Sequence, residues 1–191
     1  MPVRLEKVGL RALGIAECFR EGPGQISHLA GVVVRSDRVL DGMVFGQATL
    51  EGDDATDSII DMYGRLSRSD INVIMIGGAV ISLYNIIDPE QLFEATGSPT
   101  ICVTFEESPG LEEHIRRRFP DSGERKLEAY RRLGGREPIM LRTGYTIYAR
   151  AVGLSVASSK RLLDRFTLQG AVPEPIRLAK LLAKARLDGV S

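Results

Sequence analysis

The chain has no tryptophan, two cysteines and two histidines among 191 residues, and none of its apolar runs approaches the ~20 residues that span a bilayer. Without tryptophan, and with no aromatic residues interleaved among the basic ones, a stacking platform for single-stranded nucleic acid is unsupported. Cys18 and Cys102 lie singly in strand-like apolar runs, with no C-x-x-C pair and no histidine at ligand spacing. That pattern excludes a Cys/His zinc site and predicts buried free thiols in a reducing cytoplasm. His28 and His114 share no motif with acids or cysteines, so a polar loop or surface role is expected for each. The N-terminus carries Glu6 and only short apolar runs, which is no signal-peptide pattern, and a soluble cytoplasmic protein is expected. Internal repeats and low-complexity tracts are absent as well.

What is present is enough apolar sequence, 43% of the chain, for one domain of ordinary size spanning residues 1–191. Basic and acidic residues balance at 25 each, yet unevenly: Met1 to Glu107 holds 8 basic and 16 acidic residues, and Ser108 to Ser191 holds 17 and 9. Such asymmetry marks either a metal-binding edge beside a phosphate-binding surface or two faces that neutralise each other.

The run Ala12 to Phe19 reads as a strand, followed by a Gly/Pro loop at Glu21-Gly-Pro-Gly-Gln25. His28 to Arg35 and Val39 to Leu50 follow, joined by a tight Ser36-Asp37-Arg38 turn, so the first three strands are expected to be antiparallel. Asp54 precedes a helix over Ala55 to Ser67, with Ile59, Ile60, Tyr63 and Leu66 at helical spacing, and reads as its acidic cap. Val73 to Ile76 is a short, wholly apolar strand of the kind covered on both faces. Asp88-Pro-Glu-Gln91 starts a helix that Gly97 closes, and Thr100 to Phe105 is another buried strand.

Charged, amphipathic helices are expected over Leu111 to Phe119 and Gly123 to Leu133. Ile139 to Leu141 and Tyr145 to Val152 fit a hairpin or a strand and a loop. Ser155 caps a helix reaching about Phe166, and Pro173-Glu-Pro175 opens the last one. Three antiparallel strands followed by helix, strand, helix and strand is the order of a ribonuclease H-like α/β fold, a mixed sheet flanked by helices. That topology sets strand one beside strand four, so Glu17 and Gly77 should end near each other.

Several motifs then resemble the archaeal endonuclease dU family, whose fold is similar to that of endonuclease V. The clearest is Gln169-Gly-Ala-Val-Pro-Glu-Pro-Ile-Arg-Leu-Ala179, matching a G-A-[IV]-P-E-P-x-R-x-A run. Glu51-Gly-Asp-Asp-Ala-Thr56 matches D-G-x-D-A-T with Glu51 in place of Asp; Tyr84-Asn85 with Asp88 matches F-N-x-x-D, and Ala95-Thr-Gly-Ser-Pro99 follows. Two motifs depart. Gly14-Ile-Ala-Glu-Cys-Phe19 stands where the family has G-[IV]-D-D-G-P-F, and Ile76-Gly-Gly78 stands where it has L-D-G, so Ala16 and Gly77 replace acids.

The resemblance implies metal-dependent cleavage of deoxyuridine-containing DNA, with Glu17, Glu51 and Asp54 as the surviving catalytic acids and Glu17 and Asp54 holding Mg²⁺ or Mn²⁺. Because octahedral Mg²⁺ takes oxygen ligands at ~2.0–2.1 Å, methyl and hydrogen at positions 16 and 77 leave a degraded carboxylate site. Glu17 follows Ala16 along the strand and points to the opposite face. The alternative is a noncatalytic relative that binds nucleic acid or a protein on the same scaffold. Lys160, Arg161, Arg177 and Lys180, within a basic C-terminal helical region, are the candidate DNA contacts, and assembly as a homo-oligomer is compatible with the sequence.

Overall fold

A computed structural model of the chain describes residues 8–21 and 26–189. The glycines and proline of the expected 21–25 loop fall at 22–24, outside the described residues. Seven strands form one mixed sheet, β1 (Arg11–Cys18), β2 (Ile26–Arg35), β3 (Leu40–Thr49), β4 (Val73–Gly77), β7 (Thr100–Thr104), β8 (Glu137–Met140) and β9 (Thr146–Val152), in the order β3-β2-β1-β4-β7-β9-β8. A second, two-stranded sheet pairs β5 (Val80–Ile81) with β6 (Asn85–Ile86). The helices are α1 (Ala55–Leu66), α2 (Pro89–Thr96), α3 (Glu112–Arg118), α4 (Glu124–Arg132), α5 (Val156–Phe166) and α6 (Glu174–Asp188).

The architecture is the ribonuclease H-like mixed sheet that the element order implies. β1 is antiparallel to β2 and parallel to β4, with Ile15 opposite Ile76, so the ends of β1 and β4 lie side by side. The tight hairpin forms with Arg38 at φ 72° and its N–H on the Arg35 carbonyl at 2.8 Å. Of the two readings left open at residues 137–152, the hairpin is the one that forms, Ile139 pairing with Ile147.

Alternation along β1 assigns its side chains to two layers. Leu13 and Ile15 join Ile59 and Met62 of α1, while Gly14 and Ala16 face α6. Proximity is extreme at Gly14: a Cβ built there would stand 2.1 Å from the Pro175 carbonyl carbon. Only a residue without a side chain lets the start of α6 lie flat on β1.

β3 is an edge strand, and two of its carbonyls are covered by side chains from beyond the sheet. Arg65 donates to the Phe45 carbonyl at 2.6 Å and Arg68 to that of Asp41, which blunts the edge against strand addition. Among the described residues no helix is long and apolar enough to cross a membrane.

Cys102 is 3% exposed, and burial pushes its thiol up to about 12, the Arg150 charge opposing weakly. Since the thiolate is the reactive form, native labelling at about pH 8 should be the same for wild type and Cys102→Ser. Counting labelled thiols checks this; a native wild type that labels more than Cys102→Ser refutes it.

Candidate functional site at the strand ends

The carboxyl ends of β1 and β4 bring together the segments that the sequence singled out, and each acid there is held by protein donors. Glu17 continues the Leu13–Ile15 layer and so lies on the α1 side, away from Ala16, as the alternation requires. Its Oε2 accepts the hydroxyls of Ser27 and Ser82, each at 2.6 Å, and both oxygens accept the Ser82 N–H, at 2.9 and 2.8 Å. Ser27 and Ser82 are fully buried.

These bonds reach an unusual turn. Ser82, Leu83 and Tyr84, between β5 and β6, have φ of 49°, 53° and 66°, a left-handed conformation that costs roughly 1–2 kcal/mol per non-glycine residue. Its carbonyls are tied from outside: Ser82 accepts the Glu51 N–H at 2.7 Å, and Tyr84 accepts Lys126 Nζ at 3.1 Å. Lys126 is buried, and its ammonium also meets the Gly52 carbonyl and Asp53 Oδ1, both at 2.7 Å, and lies 5.5 Å from the Phe119 ring centre. The sequence offered no signal for Lys126, which reads as one more charge on an amphipathic helix.

Asp54 occupies the N-cap position of α1 but does not cap it with its side chain. Oδ2 accepts the Thr49 hydroxyl at 2.7 Å and Oδ1 the Asn85 amide at 2.7 Å, with the Thr49 N–H on both oxygens. Asn85 in turn accepts the Ala55 N–H at 3.1 Å, taking the capping role assigned to Asp54. Burial raises the Asp54 carboxyl, and the bonds from Thr49 and Asn85 outweigh it, holding the group below its ordinary value. Glu51, itself at φ 59°, forms a two-point pair with Arg118 at 2.5 and 3.1 Å.

On the opposite face α6 covers Ala16 and reaches Gly77, which stays half-buried. Ala16 packs with Val32, Val34 and Ala179, and a Cβ on Gly77 would meet Ile176 Cγ2 at 3.2 Å. Among the described residues no three acids, histidines or cysteines are grouped to hold a metal ion. Glu17, Glu51 and Asp54 direct their oxygens at serines, an arginine, a threonine and an asparagine. As arranged, this donor set does not fit an octahedral Mg²⁺ or Mn²⁺.

The basic candidates are equally engaged. Arg177 grips Glu174 through Nε at 3.0 Å and Nη2 at 2.7 Å, Lys180 donates to the Glu17 carbonyl at 2.7 Å, and Lys160 bonds Asp164 at 3.0 Å. Arg161 lines a separate basic cavity with Arg165, Arg38 and Arg142.

Beside Gly77 opens a cavity of about 410 Å³ bounded by Gly78, Thr104, Tyr130, Arg136 and Arg150. Arg136 is aimed by Thr104 Oγ1 at 3.2 Å and the Ser108 carbonyl at 2.7 Å, over the Tyr148 ring. Burial pulls the Arg150 guanidinium below its ordinary value, Tyr130 opposing and the Arg136 charge adding to the fall. Both arginines line the cavity wall, and planar guanidiniums are the side chains that match a phosphate or carboxylate.

A family model described as endonuclease dU matches residues 8–187. A UPF0215 protein of Pyrobaculum calidifontis is 40% identical over 90% of this chain and 93% of its own, and one of Thermococcus gammatolerans is 31% identical over 99% and 98%. A crystal structure of a protein of unknown function from Archaeoglobus fulgidus superposes at TM-score 0.80 with 25% identity, covering 93% and 98%. Ciona intestinalis endonuclease V, in complex with an inosine-containing 24mer DNA, superposes at 0.64 with 14% identity, covering 96% and 88%, a likeness of fold.

Proposed function

The chain belongs to the endonuclease dU family, and on that premise we propose that it binds nucleic acid at the ends of β1, β4 and β7 without the metal-dependent cleavage that an intact carboxylate cage would supply. One observation carries this reading. The face that would hold acids at positions 16 and 77 presents a methyl group and a hydrogen, and α6 is packed on both. The carboxylates of Glu17 and Asp54 are committed to the left-handed turn and the 49–55 turn, and that of Glu51 to Arg118. Arg136 and Arg150 remain at the same strand ends, beside a cavity wide enough for one nucleotide.

Chemically, the site then retains phosphate and base binding and lacks what hydrolysis needs. Guanidinium forks hold a phosphate through paired N–H bonds, and the paired glycines let a backbone or an everted base approach closely. The acids that would activate water are bonded to Ser27, Ser82, Asn85 and Arg118 instead. Cleavage of deoxyuridine-containing DNA, the other reading, would require Glu17 to release Ser27 and Ser82 and Glu51 to release Arg118 before either met a cation.

A single assay separates the two. With a uracil-containing duplex and Mg²⁺ or Mn²⁺, no nicking above a protein-free blank is expected. Binding should weaken linearly with the logarithm of salt, and Arg136→Gln should lower affinity about 5–10-fold by removing one phosphate partner. Metal-dependent nicking that disappears in Glu17→Gln and Asp54→Asn would overturn the noncatalytic reading and establish the cleaving one.

A further inference from the structure

The helices α3 and α4 form a hairpin whose tip meets the turns that hold the candidate acids. At that tip Arg118 pairs with Glu51 at 2.5 and 3.1 Å, and Lys126 Nζ reaches the Gly52 carbonyl, Asp53 Oδ1 and the Tyr84 carbonyl. The Phe119 and Tyr84 rings meet edge to face, 5.6 Å between centres. At the base, Gly110 precedes α3 with φ 109° and Gly134 follows α4 with φ 67°, and a Cβ on Gly134 or Gly135 would touch nothing within 4 Å. Leu133, between α4 and Gly134, packs on the main core and anchors the base.

Between tip and base the hairpin is set off from the body. Ile115 and Leu127 are its buried apolar side chains, and neither belongs to any of the three apolar clusters among the described residues. Two cavities border it: α4 supplies Arg125, Ala129 and Arg132 to one of about 440 Å³, and Leu111 and Tyr130 wall the 410 Å³ cavity at the strand ends. Its own parts are bound to one another. Tyr130 Oη accepts the Leu111 N–H at 3.2 Å, the Phe119 carbonyl accepts the Gly123 N–H at 2.9 Å, and Arg131 lies 3.7 Å from Glu112.

The ties at the tip are of a kind that breaks readily. The Arg118 side chain is 59% exposed, so its pair with Glu51 is weak in water, and the bonds of Lys126 are offset by the cost of keeping an ammonium out of solvent. A unit bonded within and lightly seated without opens at lower cost than the sheet unfolds. Glycines at both ends absorb the backbone rotation that a swing requires.

We propose that the α3–α4 hairpin is a hinged lid, latched at its tip by Arg118, Phe119 and Lys126 and pivoting at its base on Gly110 and Gly134. Opening widens the strand-end cavity on its Leu111 and Tyr130 side and releases Glu51 from Arg118. The latch therefore governs both access to the cavity and the freedom of one of the three acids. The lid rests on this geometry and stands whether or not the strand ends bind nucleic acid.

Lys126 reports the opening, because its amine is buried while the lid is shut and Lys184, on α6, is exposed. The rates at which a small acylating reagent modifies the two are read by mass spectrometry. In wild type Lys126 should react far more slowly than Lys184, at a rate that barely rises with urea below the unfolding transition, since a swing exposes little surface. Arg118→Gln should speed Lys126 about 2–5-fold, the ratio that loss of one exposed ion pair gives, and leave Lys184 unchanged. Asp61→Asn removes another exposed pair, with Arg65 on α1, and should leave Lys126 at the wild-type rate. Lys126 labelling that climbs with urea as steeply as global unfolding, or a rate untouched by Arg118→Gln, overturns the lid.

Spin-label distances separate a swing from local melting, in a Cys18→Ser background where Cys102 is buried. A pair across the latch, Glu94→Cys with Asp121→Cys, should gain a longer distance when Arg118→Gln and Lys126→Met are combined. A pair within the hairpin, Glu113→Cys with Glu128→Cys, should keep its single distance. An unchanged distance across the latch, or broadening within the hairpin, refutes the proposal; should the combined variant fail to fold, the Lys126 labelling rates of wild type and Arg118→Gln decide.

Discussion

Gly14→Ala is expected to lower stability by about 3 kcal/mol, a fall of roughly 6–12 °C in melting temperature for a chain of this size. The new Cβ would stand 2.1 Å from the Pro175 carbonyl carbon, 2.2 Å from its oxygen and 2.6 Å from its Cβ, all atoms of a proline at the start of α6. No flexible side-chain end is there to swing aside. Pro173 and Pro175 both have restricted φ, so the helix must lift as a body and lose the burial of Ile176 and Ala179 against the sheet. Gly135→Ala is the control, because nothing lies within 4 Å of a Cβ there, and it should be near neutral. Thermal and urea melts of the two variants decide; a Gly14→Ala protein melting with wild type would mean that α6 does not rest on β1 as described. The functional consequence is direct, because the same docking covers Ala16 and brings Ile176 against Gly77.

Much of this arrangement was legible beforehand, and what escaped has a common cause. The antiparallel start, the hairpin at Ser36-Asp37-Arg38, the Asp88 cap with its bonds to the Glu90 and Gln91 N–H groups, and the Ser155 cap all follow from local chemistry within a few residues. The neighbouring ends of β1 and β4 follow from element order alone. The β5–β6 hairpin did not, because Ser82-Leu83-Tyr84 has none of the glycine or asparagine that signals left-handed backbone. It is fixed by Glu17, Glu51 and Lys126, residues 65, 31 and 42 positions away from the turn residues they bond. Asp54 was read as a cap from its position, and the competing donors Thr49 and Asn85, one of them 31 residues distant, take its oxygens instead. Of the candidate DNA contacts, Arg177 pairs with Glu174 three residues before it on the same helix, a local contact, whereas Lys180 reaches the Glu17 carbonyl 163 residues away, which no local pattern signals.

Glu17→Ala should separate a structural acid from a metal ligand without any nuclease assay. In buffer containing a chelator, the substitution is expected to lower stability by about 3 kcal/mol, roughly 6–12 °C, because it strands the Ser82 N–H and the Ser27 and Ser82 hydroxyls in a buried setting. Loss of this pin also frees the left-handed turn, whose backbone is unfavourable by itself, so amide exchange at Ser82 should accelerate alongside the fall in melting temperature. Glu17→Gln should be milder, since its carbonyl still accepts and its amide can donate to a hydroxyl. A ligand behaves oppositely: carboxylates gathered for a cation repel one another when it is removed, so truncating one of them in chelator is neutral or stabilising, and added Mn²⁺ raises the wild-type melting temperature but not the variant's. A destabilised Glu17→Ala protein with a Mn²⁺-independent wild type fits the acid that holds Ser82. A chelator-tolerant variant beside a Mn²⁺-stabilised wild type would return Glu17 to the metal and reopen the cleaving reading.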